Sequence, residues 1–162
     1  MKKKLLFLAI GLMLGCQGQS QKAPDPSGEG TSYPVSKTDA EWRESLTELE
    51  YYVLRKAGTE RPGTSDLLKN KQKGTYVCAG CGHPLFRSEH KFDSGTGWPS
   101  FDREIEGNVA YSVDYEIGYK RTEEHCARCG GHLGHVFDDG PGETTGMRHC
   151  INGAALDFVP EN

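Results

Sequence analysis

Two stretches of this chain, Cys78-Ala79-Gly80-Cys81-Gly82 and Cys126-Ala127-Arg128-Cys129-Gly130, carry the same CxxCG pattern. In each stretch a tight turn brings two thiolates together, and the glycine leaves room for backbone N–H groups near sulfur. Two such turns complete a tetrahedral site of four cysteine ligands with no open position, so we predict a structural zinc ion there. This site would tie together strands that lie far apart in the sequence.

Two other interpretations of these four cysteines remain open at this point. Each CxxC could be a redox pair, or the four thiols could form two disulfides in an oxidising compartment. A redox CxxC usually opens a helix in a βαβ unit, and neither stretch has that context. A zinc ribbon that binds nucleic acid shares the paired motif. The net charge of −4 and the scattered Lys and Arg residues argue against a nucleic-acid partner.

The short strands predicted around these motifs indicate the fold class. From Val109 to Tyr119, apolar side chains occupy alternate positions, which predicts a strand with one buried face. The segment from Glu60 to Lys73 is polar and is predicted to form a loop. Shorter strands are predicted at Thr75–Val77, His132–Phe137, Met147–Ile151 and Ala154–Val159. The fold is therefore predicted as a mainly antiparallel β domain.

Two short helices are predicted before the strands. Thr38 with Glu41 and Thr47 with Glu50 both fit a capping box, in which each residue satisfies a free backbone N–H of the other. Gly58 is expected to end the second helix, because glycine readily adopts the left-handed conformation there.

The amino terminus has the pattern of a targeting segment. Three lysines precede an apolar run from Leu5 to Leu14, which is too short to span a bilayer as a mature helix. The residues from Leu12 to Cys16 resemble the bacterial lipoprotein box, in which the cysteine is lipidated. We therefore expect residues 1–15 to be a signal peptide and Cys16 to anchor an exported protein to the cell envelope. An ordinary secretory signal cleaved nearby is the alternative.

The rest of the chain divides into a tether and one domain. Residues 16–36 are rich in Gln, Ser, Pro and Gly, so they are expected to form a flexible tether. Residues 37–162 have a length that suits a single core, and we expect a monomer.

Cys150 is the cysteine that neither the paired motifs nor the signal uses, and a buried structural thiol is the simple explanation for it. However, Arg148, Cys150 and Asn152 occupy alternate positions and would share one face of a strand. A guanidinium group there should favour the thiolate, so we expect a pKa below the ordinary cysteine value of about 8.5. His132 and His135 could complete a thiol–histidine reaction centre.

Three longer motifs resemble those of the methionine sulfoxide reductase B family. They are GTGWPSF at 95–101, CGGHLGHVFDDGP at 129–141 and RHCIN at 148–152. The likeness extends from about Lys37 to Val159. It implies two antiparallel sheets, a zinc site distant from the active site, and reduction of the R epimer of methionine sulfoxide in oxidised proteins.

The resemblance also implies roles for individual residues. Cys150 attacks the sulfoxide sulfur and becomes a sulfenic acid, while His132 and His135 hydrogen-bond and protonate the oxygen. Trp98 packs against the substrate methyl group. The remaining implied site residues are Phe137 at the pocket wall and, in the polar network, Asp139, Arg148 and Asn152.

One position departs from many family members, which have a second cysteine where this chain has Thr96. No resolving thiol is left if four cysteines bind zinc and Cys16 carries lipid. We therefore expect an external, thioredoxin-like thiol to restore Cys150. A zinc-stapled binding module and a redox sensor without turnover are the alternative functions. The binding module would not need a reactive Cys150 or convergent His132 and His135, and the motif around Trp98 argues against the sensor.

Overall fold

The computed structural model describes residues 32–161. The predicted signal peptide, Cys16 and most of the predicted tether lie outside these residues. Within residues 32–161, no helix is both long enough and apolar enough to cross a membrane. Near the end of the predicted tether, the backbone N–H of Val35 donates to the carbonyl of Arg128 at 2.8 Å.

The two predicted helices are present as α1, Asp39–Ser45, and α2, Glu48–Lys56, and both capping boxes are confirmed. The predicted end of α2 is wrong by one residue. Ala57 adopts the left-handed conformation (φ 51°) that we assigned to glycine. The N–H of Gly58 then donates to the carbonyl of Tyr52. α2 packs on the central strands and supplies Val53 and Leu54 to the core.

Two antiparallel sheets form the body of the described chain, which confirms the predicted fold class. The three-stranded sheet has the order β2-β1-β9 and the six-stranded sheet has the order β3-β4-β8-β7-β6-β5. The strands are β1 Gly74–Cys78, β2 Pro84–Arg87, β3 Lys91–Phe92, β4 Ser100–Phe101, β5 Val109–Asp114, β6 Arg121–Cys126, β7 His132–Phe137, β8 Arg148–Ile151 and β9 Leu156–Pro160. Three-residue 3₁₀ helices lie at Asp66–Leu68, Ser88–His90 and Gly153–Ala155.

The sequence predicted the strands that carry Cys78, the two histidines and Cys150. β7 has the predicted bounds, and β1, β8 and β9 overlap their predicted ranges. β9 begins later than expected because a 3₁₀ turn occupies residues 153–155. The strands β2, β3, β4 and β6 were not predicted. They are either very short or rich in charged residues, so alternation of polarity does not reveal them.

The predicted long strand from Val109 to Tyr119 is wrong in both its length and its burial. β5 ends at Asp114, and a turn follows it. Val109 is buried as expected, but the rest of that face is exposed, with Tyr111 at 47%, Val113 at 55% and Tyr115 at 65% relative exposure. The reason is topological, since β5 lies at the edge of the six-stranded sheet.

The strands β7 and β8 lie unusually close together in the middle of the large sheet. A Cβ atom on Gly134 would lie 2.0 Å from the carbonyl oxygen of Cys150, so only glycine permits this spacing. On the core side, Leu133 and Ile151 are fully buried. The backbone that carries Cys150 is therefore held rigidly by its neighbours.

Candidate active site

Cys150 lies near the middle of the large sheet. Across β8 it is paired with Ser100 of β4 on one side and with His135 of β7 on the other. Residues directly opposite each other have Cβ atoms about 4.5–5.5 Å apart, so the His135 and Cys150 side chains are neighbours on one face. On the same face, Thr96 Oγ1 lies 3.8 Å from Cys150 Sγ.

His132 is held by a carboxylate that sequence reasoning did not identify. Its Nδ1 lies 2.5 Å from Oε1 of Glu123 on β6, and its buried Nε2 has no hydrogen-bond partner among the described residues. Burial favours the neutral acid, but hydrogen bonds from His125 and His132 outweigh it and hold the pKa of Glu123 well below its usual range. Glu123 is therefore ionised at neutral pH, and its carboxylate holds His132 through Nδ1.

His135 has a carboxylate partner of its own, Asp114 at the end of β5. His135 Nε2 lies 2.8 Å from Asp114 Oδ2, and Arg121 also contacts this carboxylate. The backbone hydrogen bond from Glu116 lowers the pKa of Asp114, with His135 and Arg121 adding to the effect. Burial lowers the pKa of His135, so its ring is neutral at pH 7 and donates Nε2–H to Asp114. The two rings are close, with centroids 5.6 Å apart.

Arg148 joins two other predicted site residues. Its Nε and Nη2 donate to the two carboxylate oxygens of Asp139 at 2.7 and 2.9 Å. The guanidinium also stacks over the ring of Phe137, its cross-strand partner, at 4.4 Å from the ring centroid. Arg148 therefore lies beside Cys150 on the same face of β8, in a fixed orientation.

Trp98 and Asn152 are both hydrogen-bonded to the main chain of a third residue, Glu60. The Trp98 Nε1–H donates to the Glu60 carbonyl at 3.2 Å, and the Glu60 N–H donates to Asn152 Oδ1 at 3.0 Å. Asn152 also donates from Nδ2 to the carbonyl of Leu133 at 3.0 Å. Asn152 is thus a buried residue that links the segment around Glu60 to β7, and both ends of its side-chain amide are engaged in these contacts.

The expectation that Arg148 makes Cys150 a thiolate is wrong for the resting protein. Burial is the largest influence and raises the pKa of Cys150 above its ordinary value. Hydrogen bonding by Thr96 and the positive charge of Arg148 lower the pKa, but they do not outweigh burial. At neutral pH the Cys150 thiol is protonated, and any reaction as a nucleophile requires a base.

The four cysteines of the paired motifs converge at one corner where the sheets meet. Their sulfur atoms all lie within 4.8 Å of one another. Cys78 Sγ is 3.7 Å from Cys129 Sγ, and Cys81 Sγ is 3.6 Å from Cys126 Sγ. A disulfide bond measures about 2.0 Å, whereas tetrahedral zinc at about 2.3 Å from each sulfur spaces the sulfurs about 3.8 Å apart. The geometry fits a metal ion, and none of the four sulfurs lies at disulfide distance from another.

Sequence reasoning missed Glu123, Asp114 and Glu60. Asp114 had a signal, because it alternates with Ser112 on the polar face of the predicted strand. Glu123 lies in a strand that was not predicted, and Glu60 begins a segment that looked like an ordinary loop. No sequence pattern pairs either of them with its partners.

Comparison with known proteins agrees with this geometry. The SelR domain model matches residues 46–160. Three relatives called peptide methionine sulfoxide reductase MsrB come from Chromohalobacter salexigens, Leifsonia xyli and Leptospira interrogans. They are 50%, 51% and 51% identical to this chain over 80%, 84% and 80% of its length, and the matches cover 98%, 98% and 99% of the relatives. The chain belongs to the methionine sulfoxide reductase B family.

The raised pKa of Cys150 gives a testable prediction. The rate of alkylation of Cys150 by iodoacetamide should rise with pH, with a midpoint above the value of about 8.5 for a free cysteine. Thr96→Val removes a hydroxyl that favours the thiolate at almost constant volume, so it should move the midpoint further upward. Cys150→Ser identifies the background reaction. A midpoint well below 8 in the wild-type protein would contradict this account.

Proposed function

We propose that this protein reduces methionine-R-sulfoxide in oxidised proteins and peptides to methionine, with Cys150 as the nucleophile. The observation that carries the proposal is the placement of Cys150 directly opposite His135 on a central strand pair, with His132 packed beside His135. The family membership of the chain supports the same activity.

The first chemical step transfers the sulfoxide oxygen to Cys150. The sulfur–oxygen bond of the substrate breaks and a bond between Sγ and oxygen forms, which leaves a sulfenic acid and a thioether. The substrate sulfur gains two electrons, and Sγ loses two. A sulfoxide is neutral and its oxygen leaves poorly, so the reaction needs a soft nucleophile, a base for the thiol proton and an acid for the oxygen.

The two histidines divide these proton transfers because their surroundings differ. His135 is neutral and faces Cys150 across the strands, so it takes the proton of the thiol. The Glu123 carboxylate binds His132 at Nδ1 and fixes its ring, which leaves Nε2 without a partner among the described residues. The buried Nε2 of His132 then donates to the sulfoxide oxygen.

Selectivity for one epimer follows from the shape of the site. Trp98 offers an aromatic surface for the S-methyl group, through apolar and sulfur–aromatic contact worth about 0.3–1.5 kcal/mol. The histidines lie on the sheet and bind the oxygen. Only one epimer at sulfur can direct its methyl group to the indole and its oxygen to the imidazoles at the same time.

Recovery of Cys150 requires an external thiol. Thr96 stands 3.8 Å from Sγ, where a cysteine could react with the sulfenic acid, but a hydroxyl cannot form a disulfide. A thioredoxin-like reductant attacks the sulfenic acid and releases water, and a second thiol then resolves the mixed disulfide. Each cycle converts two donor thiols into one disulfide.

The four-cysteine cluster holds zinc with a structural role. Cys78, Cys81, Cys126 and Cys129 would fill all four coordination positions of a tetrahedral ion, and zinc is the usual metal for such a closed site. The bound ion would supply a fixed tetrahedral link between strands, and the chemistry at Cys150 does not use it.

The protein acts at the cell envelope, outside the cytoplasm, attached through lipid on Cys16. The sequence pattern of lysines, an apolar run and a cysteine supports this location. The domain itself works as a monomer on oxidised methionine in exported proteins.

The central prediction concerns Cys150 and the epimers of methionine sulfoxide. Wild-type protein with dithiothreitol should convert the R epimer of a methionine sulfoxide peptide to methionine, and the S epimer should remain, as measured by chromatography. Cys150→Ser should abolish the conversion because oxygen lacks the nucleophilicity of sulfur, with metal content unchanged. Activity retained in that variant, or equal rates on both epimers, would refute the proposed mechanism.

The recycling scheme predicts the products of a single turnover without reductant. One free thiol should disappear at Cys150, and mass spectrometry should find no intramolecular disulfide. Thr96→Cys should form one with Cys150, because the two side chains already approach each other. Thr96→Ser, the matched control, should behave like the wild type. A native disulfide that includes Cys150 would overturn the scheme.

The zinc assignment predicts that metal analysis finds about one zinc ion per chain. Removal of the ion by a chelator should unfold the domain, as followed by circular dichroism, because the metal links strands that otherwise depend on a modest core. Cys126→Ser should lose both zinc and structure, while Cys150→Ser keeps both. Iron in place of zinc, or a fold indifferent to chelation, would count against this assignment.

Anchoring predicts that the wild-type chain sediments with membranes and that mass spectrometry finds lipid on an N-terminal cysteine. Cys16→Ala should either appear in the soluble fraction or accumulate as an unprocessed precursor. Recovery of full-length, unmodified wild-type chain from the cytoplasm would rule out the proposed location.

A further inference from the structure

Glu60 is a buried residue in a segment whose sequence indicated only a polar loop. Its relative exposure is 5%, although Thr59 and Arg61 on either side are exposed. A carboxylate rarely enters the interior unless hydrogen bonds compensate the loss of water. The partners of Glu60 therefore show why it is buried.

The main chain of Glu60 contacts two site residues at once. Its carbonyl accepts from Trp98 Nε1 at 3.2 Å, and its N–H donates to Asn152 Oδ1 at 3.0 Å. Trp98 lies 38 positions away in the sequence and Asn152 lies 92 positions away. One peptide segment thus holds an aromatic wall of the pocket and the residue that follows the nucleophile strand.

The side chain of Glu60 fixes this segment to the strand end. Its two oxygens accept from the N–H of Gly153 at 2.5 Å and from the N–H of Ala154 at 3.1 Å. The approach depends on glycine at 153, because a Cβ there would lie 2.0 Å from Ser65 Oγ and 3.1 Å from Glu60 Oε1. Burial raises the pKa of the Glu60 carboxyl group, and the two backbone hydrogen bonds from Gly153 and Ala154 oppose that shift.

These contacts form a single clamp with four hydrogen bonds. A surface loop held only by main-chain contacts would move relative to the sheet, and the indole would move with it. The carboxylate removes that freedom because it binds the backbone immediately after Asn152. Displacement of a substrate-binding group by about 1 Å can reduce the rate by about 100-fold.

We propose that Glu60 is a positioning residue that sets the orientation of Trp98 and Asn152 in the substrate pocket. The proposal rests on the proposed function for its effect on sulfoxide reduction. Glu60 does not touch the reacting atoms, and it acts only through the indole and the amide.

Two substitutions of Glu60 should have graded effects on the kinetics. Glu60→Ala removes both carboxylate contacts, so KM for a methionine-R-sulfoxide peptide should rise and kcat/KM should fall by roughly 10- to 100-fold. Glu60→Gln keeps one acceptor but directs an NH₂ group at an N–H donor, so its KM should lie between those of Glu60→Ala and the wild type. Thr64→Ala, an exposed change in the same loop, should leave both constants unchanged.

A measurement independent of activity tests the same geometry. The indole N–H of Trp98, assigned by its loss in Trp98→Phe, should be protected from hydrogen exchange in the wild type. Its exchange should be at least several-fold faster in Glu60→Ala, while the indole N–H of Trp42, buried in the core, should be unaffected. Zinc content and circular dichroism show whether each variant folds. If Glu60→Ala does not fold, the exchange rate of the Trp98 indole N–H in Glu60→Gln tests the proposal instead.

A purely structural role would give a different pattern. If Glu60 only stabilised the fold, its variants would lower kcat in proportion to the unfolded fraction, with unchanged KM and unchanged Trp98 exchange, and that result would overturn the proposal. If the wild type reduced no sulfoxide, the proposed function would fail. Trp98 exchange would then still decide whether Glu60 positions the indole.

Discussion

The convergence of four sulfur atoms within 4.8 Å is the constraint on which the rest of the structure depends. Cys78 ends a strand of the small sheet and Cys126 ends a strand of the large one, so the cluster joins the two sheets at a corner. The helix α2 is attached to the same corner, because Arg55 donates to the carbonyl of Cys129 at 3.1 Å. With this corner closed, the central strands β7 and β8 are held between helix and sheet.

The six-stranded sheet also carries Cys150, His135 and Glu123, whose pKa values shift in different directions because their surroundings differ. Cys150 is desolvated more than its charged neighbours can offset, so its thiol keeps its proton. His135 is neutral for the same reason, whereas Glu123 ionises because two histidines donate to it. The same burial therefore keeps the Cys150 thiol protonated and the His135 ring neutral, although the two residues are direct cross-strand neighbours.

Hydrogen bonds and stacking contacts fix the residues around Cys150, and some of these contacts join segments that are far apart in the sequence. The loop around Glu60 meets the indole of Trp98 and the amide of Asn152, while Arg148 stacks on Phe137 and binds Asp139. Each of these contacts uses a polar group that would be costly to bury without a partner. The site therefore takes its correct shape only when the loops form these hydrogen bonds.

The sequence by itself predicted the helix caps, the strands that carry Cys78, the two histidines and Cys150, and the grouping of the four CxxC cysteines, because these depend on local spacing. Tertiary structure decided the rest. The apolar alternation around Val113 is solvent-exposed because that strand is placed at a sheet edge, and burial opposes Arg148 at Cys150. Glu60 and Glu123 acquire their roles from partners that only folding brings near, since burial and hydrogen bonding are properties of the whole assembly of strands.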